Sequence, residues 1–363
     1  MKLAFKEVAE LIAAVGKEIT VLVRGPMGSA KSSLVYYLRD NYYPEHDVMI
    51  FDCAMRSEGD VALPWLVEIN GVKTTVYAAS ELFGLHTGRP ILLVADEIGK
   101  ASLAIINSLL PAILERRFGM IPFHKDSILF CTTNLSEELV GDNIPPHGHN
   151  RMMDVEMRKP RVVETTEVGR RPIEWLADYA IPRGLCAPAI AFCMEKPEIF
   201  QDYDPVNART NPYIYKPGAV HGQFVTPRSA TKLFFEHLPK RDKMSNNAFY
   251  AGMVGLVGPA MAKDFEAFLA TDAELPTTEE ILADPANARL PNKAVECLML
   301  VYRLGMSVSK ASIDRIAVYV WRLNGENRAL FTHIVTTGTK TISLMPDMYR
   351  LGFMEDNKAL RTA

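Results

Sequence analysis

Gly25-Pro26-Met27-Gly28-Ser29-Ala30-Lys31-Ser32-Ser33 brings together the groups that can cradle a phosphate chain. Glycine lets a backbone approach close, a helix start offers unpaired N–H donors, and lysine and hydroxyls supply charge and metal ligands. In a loop of this kind Lys31 reaches the β- and γ-phosphates, and the Ser32 hydroxyl ligates Mg²⁺. The usual pattern, G-x-x-x-x-G-K-[ST], has a second glycine where this chain has Ala30. Alanine is the smallest replacement, but it makes a positive φ costly. Taken alone, the loop is also compatible with a structural turn.

Ile91-Leu92-Leu93-Val94-Ala95-Asp96-Glu97 supplies the complementary chemistry, an apolar run that ends in two acids. A continuous apolar run is how a buried parallel strand reads. Ligands of open α/β sheets bind at the carboxyl ends of such strands. Asp96 there can hold Mg²⁺, and Glu97 can polarise an attacking water. Paired acids at a strand end also serve as helix caps. Their separation from the loop, roughly 60 residues, is what intervening βα elements require.

These groups need a scaffold. Ile19-Thr20-Val21-Leu22-Val23 reads as the strand feeding the loop, and Ser33-Leu34-Val35-Tyr36-Tyr37-Leu38 as the helix leaving it. A short helix is expected over residues 4–15 and a second strand over 47–52. Alternating residues around Asn70-Gly71 predict a hairpin over 63–78. A helix over 101–116 follows, with Leu103, Ile106, Leu109, Leu110, Ile113 and Leu114 on its apolar positions. A second hairpin is expected around 118–125, and Ser127-Ile128-Leu129-Phe130-Cys131-Thr132-Thr133-Asn134 predicts another strand ending in a polar residue. Residues 137–150 are loop-like, and 154–157 are strand-like. From about 171 the pattern turns helical, with helices expected at 188–194, 228–236, 248–257, 261–269, 294–302 and 313–322, and a long loop over 203–226. Strands alternating with helices give a parallel sheet. The expected fold is therefore α/β, a P-loop parallel-sheet core over 1–170, followed by a helical lid over 171–270 and a helical extension over 271–363.

The chain has 363 residues, 48% of them hydrophobic, and a formal net charge of −3. That charge supplies no global drive toward nucleic acid, although a local basic channel stays open. Cys53, Cys131, Cys186, Cys193 and Cys297 form no Cys-x-x-Cys pair, which suits a reducing cytosol. Cys53 and Cys131 end apolar runs and read as core. The first residues lack a signal-peptide core, and no apolar run approaches the ~20 residues of a membrane span. His147 and His149 could form a metal pair, but no ligand set accompanies them in sequence, and a loop is the plainer reading. Tyr36, Tyr37, Tyr42 and Tyr43 have little basic interleaving and suit packing better than base stacking.

The order of these motifs resembles that of the AAA+ ATPases, in particular their MoxR-like branch with a helix-2 insert. Residues 25–33 resemble Walker A, and 91–97 resemble Walker B. Residues 128–134, ending in Thr133-Asn134, resemble sensor 1. Val225-Thr226-Pro227-Arg228-Ser229 resembles the Pro-Arg signature of sensor 2 at the start of a lid helix. The Asn70-Gly71 hairpin resembles the helix-2 insert, and 109–119 resembles the stretch before the pre-sensor 1 hairpin. Residues 274–285 resemble the C-terminal part of some bacterial MoxR-like ATPases. The resemblance covers about residues 5–290.

The resemblance implies ATP and Mg²⁺ at residues 25–33, with Ser32 and Asp96 on the metal. Glu97 would activate water, and Asn134 would position it or contact the γ-phosphate. Arg228 would report the γ-phosphate from the lid. A positive charge in a helix's first turn opposes the macrodipole and needs such a reason. An arginine from the neighbouring subunit is also implied. Arg151 lies where the family places it, with Arg116 and Arg117 as rivals. The implied protein is a cytoplasmic bacterial or phage-encoded ring, a hexamer, with a chaperone-like or metal-insertion role and a partner carrying a von Willebrand factor A domain. A nucleic-acid motor, a GTP-specific motor and a nucleotide-gated binding module with little hydrolysis are the alternatives.

Overall fold

The computed structural model describes residues 1–135, 144–162, 172–204, 206–216, 222–336, 349–350 and 352–356. Parts of the loops expected over 137–150 and 203–226, and most of the chain beyond 340, lie outside the described residues. The chain divides into two compact units, Met1–Lys159 and Pro160–Ala363.

The first unit is built on a six-stranded sheet. Its strands are β1 (Lys2–Leu3), β2 (Val21–Arg24), β3 (Asp47–Asp52), β6 (Ile91–Asp96), β9 (Ile128–Thr133) and β10 (Met153–Met157). The order is β1-β10-β2-β9-β6-β3, and every neighbouring pair is parallel. Period-2 alternation explains why both faces are covered. Val21, Val23, Leu92, Val94, Ile128 and Phe130 face one apolar cluster with α1 (Phe5–Val15) and α2 (Leu34–Asn41). Leu22, Leu93, Ala95, Leu129 and Cys131 face the other, with α3 (Leu103–Glu115). A short helix, α4 (Pro146–His149), leads into β10.

The register fixes where the chemistry gathers. Arg24 stands opposite Thr133, Ala95 opposite Cys131, and Asp52 opposite Asp96. The carboxyl ends of β2, β9, β6 and β3 therefore form one edge. The phosphate-type loop leaves β2 there, and Asp96 ends β6 there.

Two hairpins leave this unit. β4 (Ala62–Ile69) and β5 (Val72–Ala79) pair antiparallel around Asn70-Gly71, with φ +52° and +78° at the turn. Two consecutive positive φ values are what a tight hairpin turn demands, and Asn-Gly supplies them. β7 (Arg117–Phe118) and β8 (Ile121–Pro122) form a shorter hairpin inside the span expected for it. Phe51, Phe83, Phe118 of β7 and Phe123 run as a chain of ring contacts, with Phe51–Phe83 centroids 4.8 Å apart. Such pairs add about 0.5–1.5 kcal/mol each beyond the area they bury. A Cβ on Gly119 would lie 3.7 Å from the Tyr77 carbonyl oxygen, so the hairpins are neighbours.

The second unit is helical. It contains α5 (Ala187–Glu195), α6 (Asn207–Thr210), α7 (Pro227–Thr231), α8 (Asn246–Ala273), α9 (Thr278–Ala283), α10 (Ala294–Ser307), α11 (Ile313–Trp321) and α12 (Gly325–Ile334). α5 is buried on nearly every side, as its apolar sequence requires. α8 is broken at Gly258, whose φ is +84°, followed by Pro259. The two helices expected from the sequence, 248–257 and 261–269, lie on either side of this break. A Cβ on Gly258 would come within 2.5 Å of the Gln223 carbonyl oxygen, so glycine is needed there twice over. One apolar cluster runs from Ile173 to Phe353 and includes residues on both sides of position 270. The divisions expected at 170 and 270 thus compare with a boundary after Lys159 and a core that continues across 270. Among the described residues no helix is long and apolar enough to cross a membrane.

Candidate phosphate and metal site

The loop between β2 and α2 is held by its own lysine. Lys31 is buried, and its Nζ donates to the Gly25 carbonyl (2.8 Å), the Pro26 carbonyl (2.9 Å) and Asn134 Oδ1 (2.9 Å). A buried ammonium needs such a set of acceptors, because desolvation without them costs several kcal/mol. Gly25 is pressed against β10, where a Cβ would lie 2.7 Å from the Met157 carbonyl oxygen. Gly28 takes φ +71°, and Ala30 takes φ +73°. Ala30 thus occupies the left-handed conformation that glycine would adopt more cheaply, at a cost of about 1–2 kcal/mol. The Ser29 hydroxyl is buried with no hydrogen-bond partner among the described residues. An orphaned buried hydroxyl inside a glycine-bearing loop at a helix start fits a ligand with many acceptor oxygens.

The acids meet the loop directly. Ser32 Oγ donates to Asp96 Oδ2 at 2.7 Å. Thr132 Oγ1 donates to the other oxygen, Asp96 Oδ1, and accepts the Glu97 amide at 3.1 Å. Ser32 and Asp96 supply one hydroxyl and one carboxylate, the oxygen donors a Mg²⁺ site prefers while it keeps water and phosphate as its other ligands. No cluster of three or more His, Cys, Asp or Glu that could hold a metal occurs among the described residues. Glu97 sits at φ +54°, a second strained non-glycine residue at this edge. Its carboxylate pairs with Lys100 Nζ at 2.6 Å.

Thr132 and Lys100 were not among the residues singled out from sequence. Lys100 is three residues after Glu97, a spacing that places side chains together on one turn. Thr132, followed by Thr133, begins the polar end of a strand that is apolar before it. Burial pushes the Cys131 thiol up to about 12 and raises that of Cys53, so both are core groups and not nucleophiles.

The arginines differ. Arg116 ends α3 at φ +54° and turns inward, donating Nη2 to the Gly16 carbonyl at 3.1 Å, and burial lowers its pKa. Arg117 pairs with Glu115. Arg151 is exposed, between α4 and β10, with its amide on the Gly148 carbonyl at 3.1 Å. Arg228 is exposed in the first turn of α7, whose N-terminus is closed by Thr226 and Ser229 bonding each other's amides at 2.9 and 3.1 Å. Arg228 belongs to the second unit and Lys31 to the first. His149 lies 3.4 Å from Asp154, which also takes Arg24 Nε at 2.8 Å.

No protein-family model matches the chain, and no curated protein matches it in sequence. Among solved structures it is similar to NtrX from Brucella abortus in complex with ADP, at 13% identity and a TM-score of 0.38, over 98% of this chain and 67% of that one. It is also similar to the ADP complex of Hsp104 from S. cerevisiae, at 16% identity and a TM-score of 0.30, over 42% of this chain and 32% of that one. A full-length MCM homologue from Methanopyrus kandleri gives 12% identity and a TM-score of 0.30, and the match spans 33% of its length. At these values the fold is carried by the strand order and the loop geometry. The chain has a parallel α/β core of the P-loop kind, followed along the sequence by a helical unit.

Proposed function

We propose that this chain is a MoxR-like AAA+ ATPase that works as a ring of identical subunits, a hexamer, in the cytoplasm of a bacterium or a phage-infected cell. The observation that carries this reading is the single cluster made by Lys31, Asn134, Ser32 and Asp96, from three separated sequence motifs. Bound Mg²⁺ would neutralise charge on the phosphates, held by the Ser32 hydroxyl and the Asp96 carboxylate. Lys31 would exchange its carbonyl partners for phosphate oxygens, and the loop amides with Ser29 would surround them. Glu97 would take a proton from the attacking water. The water oxygen bonds the γ-phosphorus as the bond to the β–γ bridging oxygen breaks, giving ADP and phosphate. Asn134 would hold the water or the γ-phosphate. Arg228 and a neighbour's Arg151 would contact the developing charge, the latter with an effect of ~10³–10⁵ in comparable transfers. Hydrolysis would drive chaperone-like remodelling of a protein or metal-insertion complex through the two hairpins, with a von Willebrand factor A protein as partner.

The ion pair of Glu97 with Lys100 favours a second reading, a nucleotide-gated binding module of low turnover. The rate of ATP hydrolysis per subunit, measured across protein concentration, separates the two. A rate that rises with concentration supports the shared-site ring. Tight ATP binding without turnover at any concentration supports the module.

A further inference from the structure

The helical unit holds a short piece of its own chain in a slot framed by α11 and α12. Phe353 is fully buried there, stacked on Trp321 with centroids 5.4 Å apart and planes 26° apart, and edge-on to Phe331 at 6.2 Å. Gly352 lies flat against the same indole. A Cβ on it would fall 2.4 and 2.6 Å from two ring carbons, so the slot admits no side chain at that position. Arg328 forks onto Asp356, with Nε to Oδ2 at 2.6 Å and Nη2 to Oδ1 at 3.1 Å. Its guanidinium also lies over the Trp321 ring, 4.9 Å from the centroid. Asp356 stands at the N-terminal end of α12, where a Cβ on Gly325 would approach Oδ1 to 3.3 Å. A carboxylate at a helix start gains from the macrodipole as well as from the fork.

These contacts select a sequence. They ask for glycine, then an aromatic ring, then a carboxylate three residues later. A close-fitting backbone, a buried aromatic anchor and a forked ion pair are the parts of a peptide-recognition site. We propose that Trp321, Arg328 and Phe331 form a recognition site for Gly-Phe-x-x-Asp, that residues 352–356 are its ligand within the chain, and that the site accepts the same segment from a second copy. The contact then links subunits by tail exchange.

The test uses the full chain and a fluorescein-labelled peptide of residues 347–358, followed by anisotropy. In wild type the tethered tail competes at millimolar effective concentration, so the free peptide binds poorly. Full-length Phe353→Ser releases the tail and leaves the slot, and it is expected to bind the peptide at least ~10²-fold more tightly than wild type does. Gly352→Ala releases the tail by a milder change and serves if Phe353→Ser does not fold. The peptide carrying Asp356→Arg is expected to lose this binding, and adding Arg328→Glu to the released chain is expected to restore it. A folded, tail-released chain that binds no better than wild type overturns the proposal. So does a peptide whose binding ignores the charge at position 356.

Discussion

Two regions of Met1–Lys159 divide polar and apolar groups in opposite ways. At the carboxyl edge of the sheet, polar and charged side chains are buried: Ser29, Lys31, Thr132, Thr133 and Asn134 are all nearly inaccessible. On the β4–β5 ribbon the apolar groups are outside. Trp65 is 66% exposed and Leu66 63%, with Leu63, Ile69, Val72 and Tyr77 also exposed. On one face of that ribbon Leu63, Trp65, Val67 and Ile69 stand opposite Ala78, Val76, Thr74 and Val72, with no charge among them. A lone two-stranded ribbon has little stability of its own. The edge is therefore organised in advance by internal bonds, and the ribbon spends its apolar surface on solvent. Substitutions in the two regions should fail in different ways.

The largest effect is expected from Lys31→Ala, which removes the cation from the loop and leaves Asn134 Oδ1 without its donor. ATP hydrolysis should fall by ~10² or more, and nucleotide binding should weaken with it. Retained binding of a fluorescent ATP analogue by this variant would mean that the loop is a structural turn. Glu97→Gln should come next, with turnover reduced by ~10²–10⁴ and binding kept, measured as tight trapping of unhydrolysed ATP. Equal turnover in wild type and variant would move the base elsewhere. Ala30→Gly relieves the left-handed alanine and should stabilise the first unit by about 1 kcal/mol, a rise of roughly 2–4 °C in its melting midpoint. A drop instead would show that alanine's loss of unfolded-chain freedom outweighs the strain. The smallest effect on stability is expected from the paired change Trp65→Ser and Leu63→Ser, within about 0.5 kcal/mol by denaturant titration. A loss of several kcal/mol would mean that the ribbon face is packed, and the contrast between the regions would fail.

Local patterns carried the legible part of the fold. The run Ile91–Asp96 reads as a strand because both of its faces are apolar, and Asn70-Gly71 reads as a turn because few other pairs take two positive φ values cheaply. An alanine in the place of the loop's second glycine is costly at positive φ, and φ +73° is what Ala30 adopts. Other features lie beyond such patterns. β1, Lys2–Leu3, is two residues long and has no period; it exists only because β10 offers an edge to pair with. α12 has sparse buried positions, Ala329, Phe331 and Thr332, set by packing on α10 and α11 rather than by a clear stripe. The pairing of Lys100 with Glu97 depends on the turn at φ +54°, which no composition announces. Of the site, the members on strand ends and the loop were legible. The inward turn of Arg116 was not, since it depends on a carbonyl about 100 residues earlier in the chain.

β9 lies between the strand of the loop and the strand of the acids; its Thr132 bonds Asp96, and Asn134, just past its end, bonds Lys31. Strand faces alternate with every residue. A single-codon deletion between Phe130 and Thr132 would therefore set the Thr132–Asp96 and Asn134–Lys31 contacts against the packing of Phe130, since both cannot keep their faces. A substitution in β9 strains one buried position, whereas a change in its length shifts a whole run of them, so the strand's length is itself inherited information.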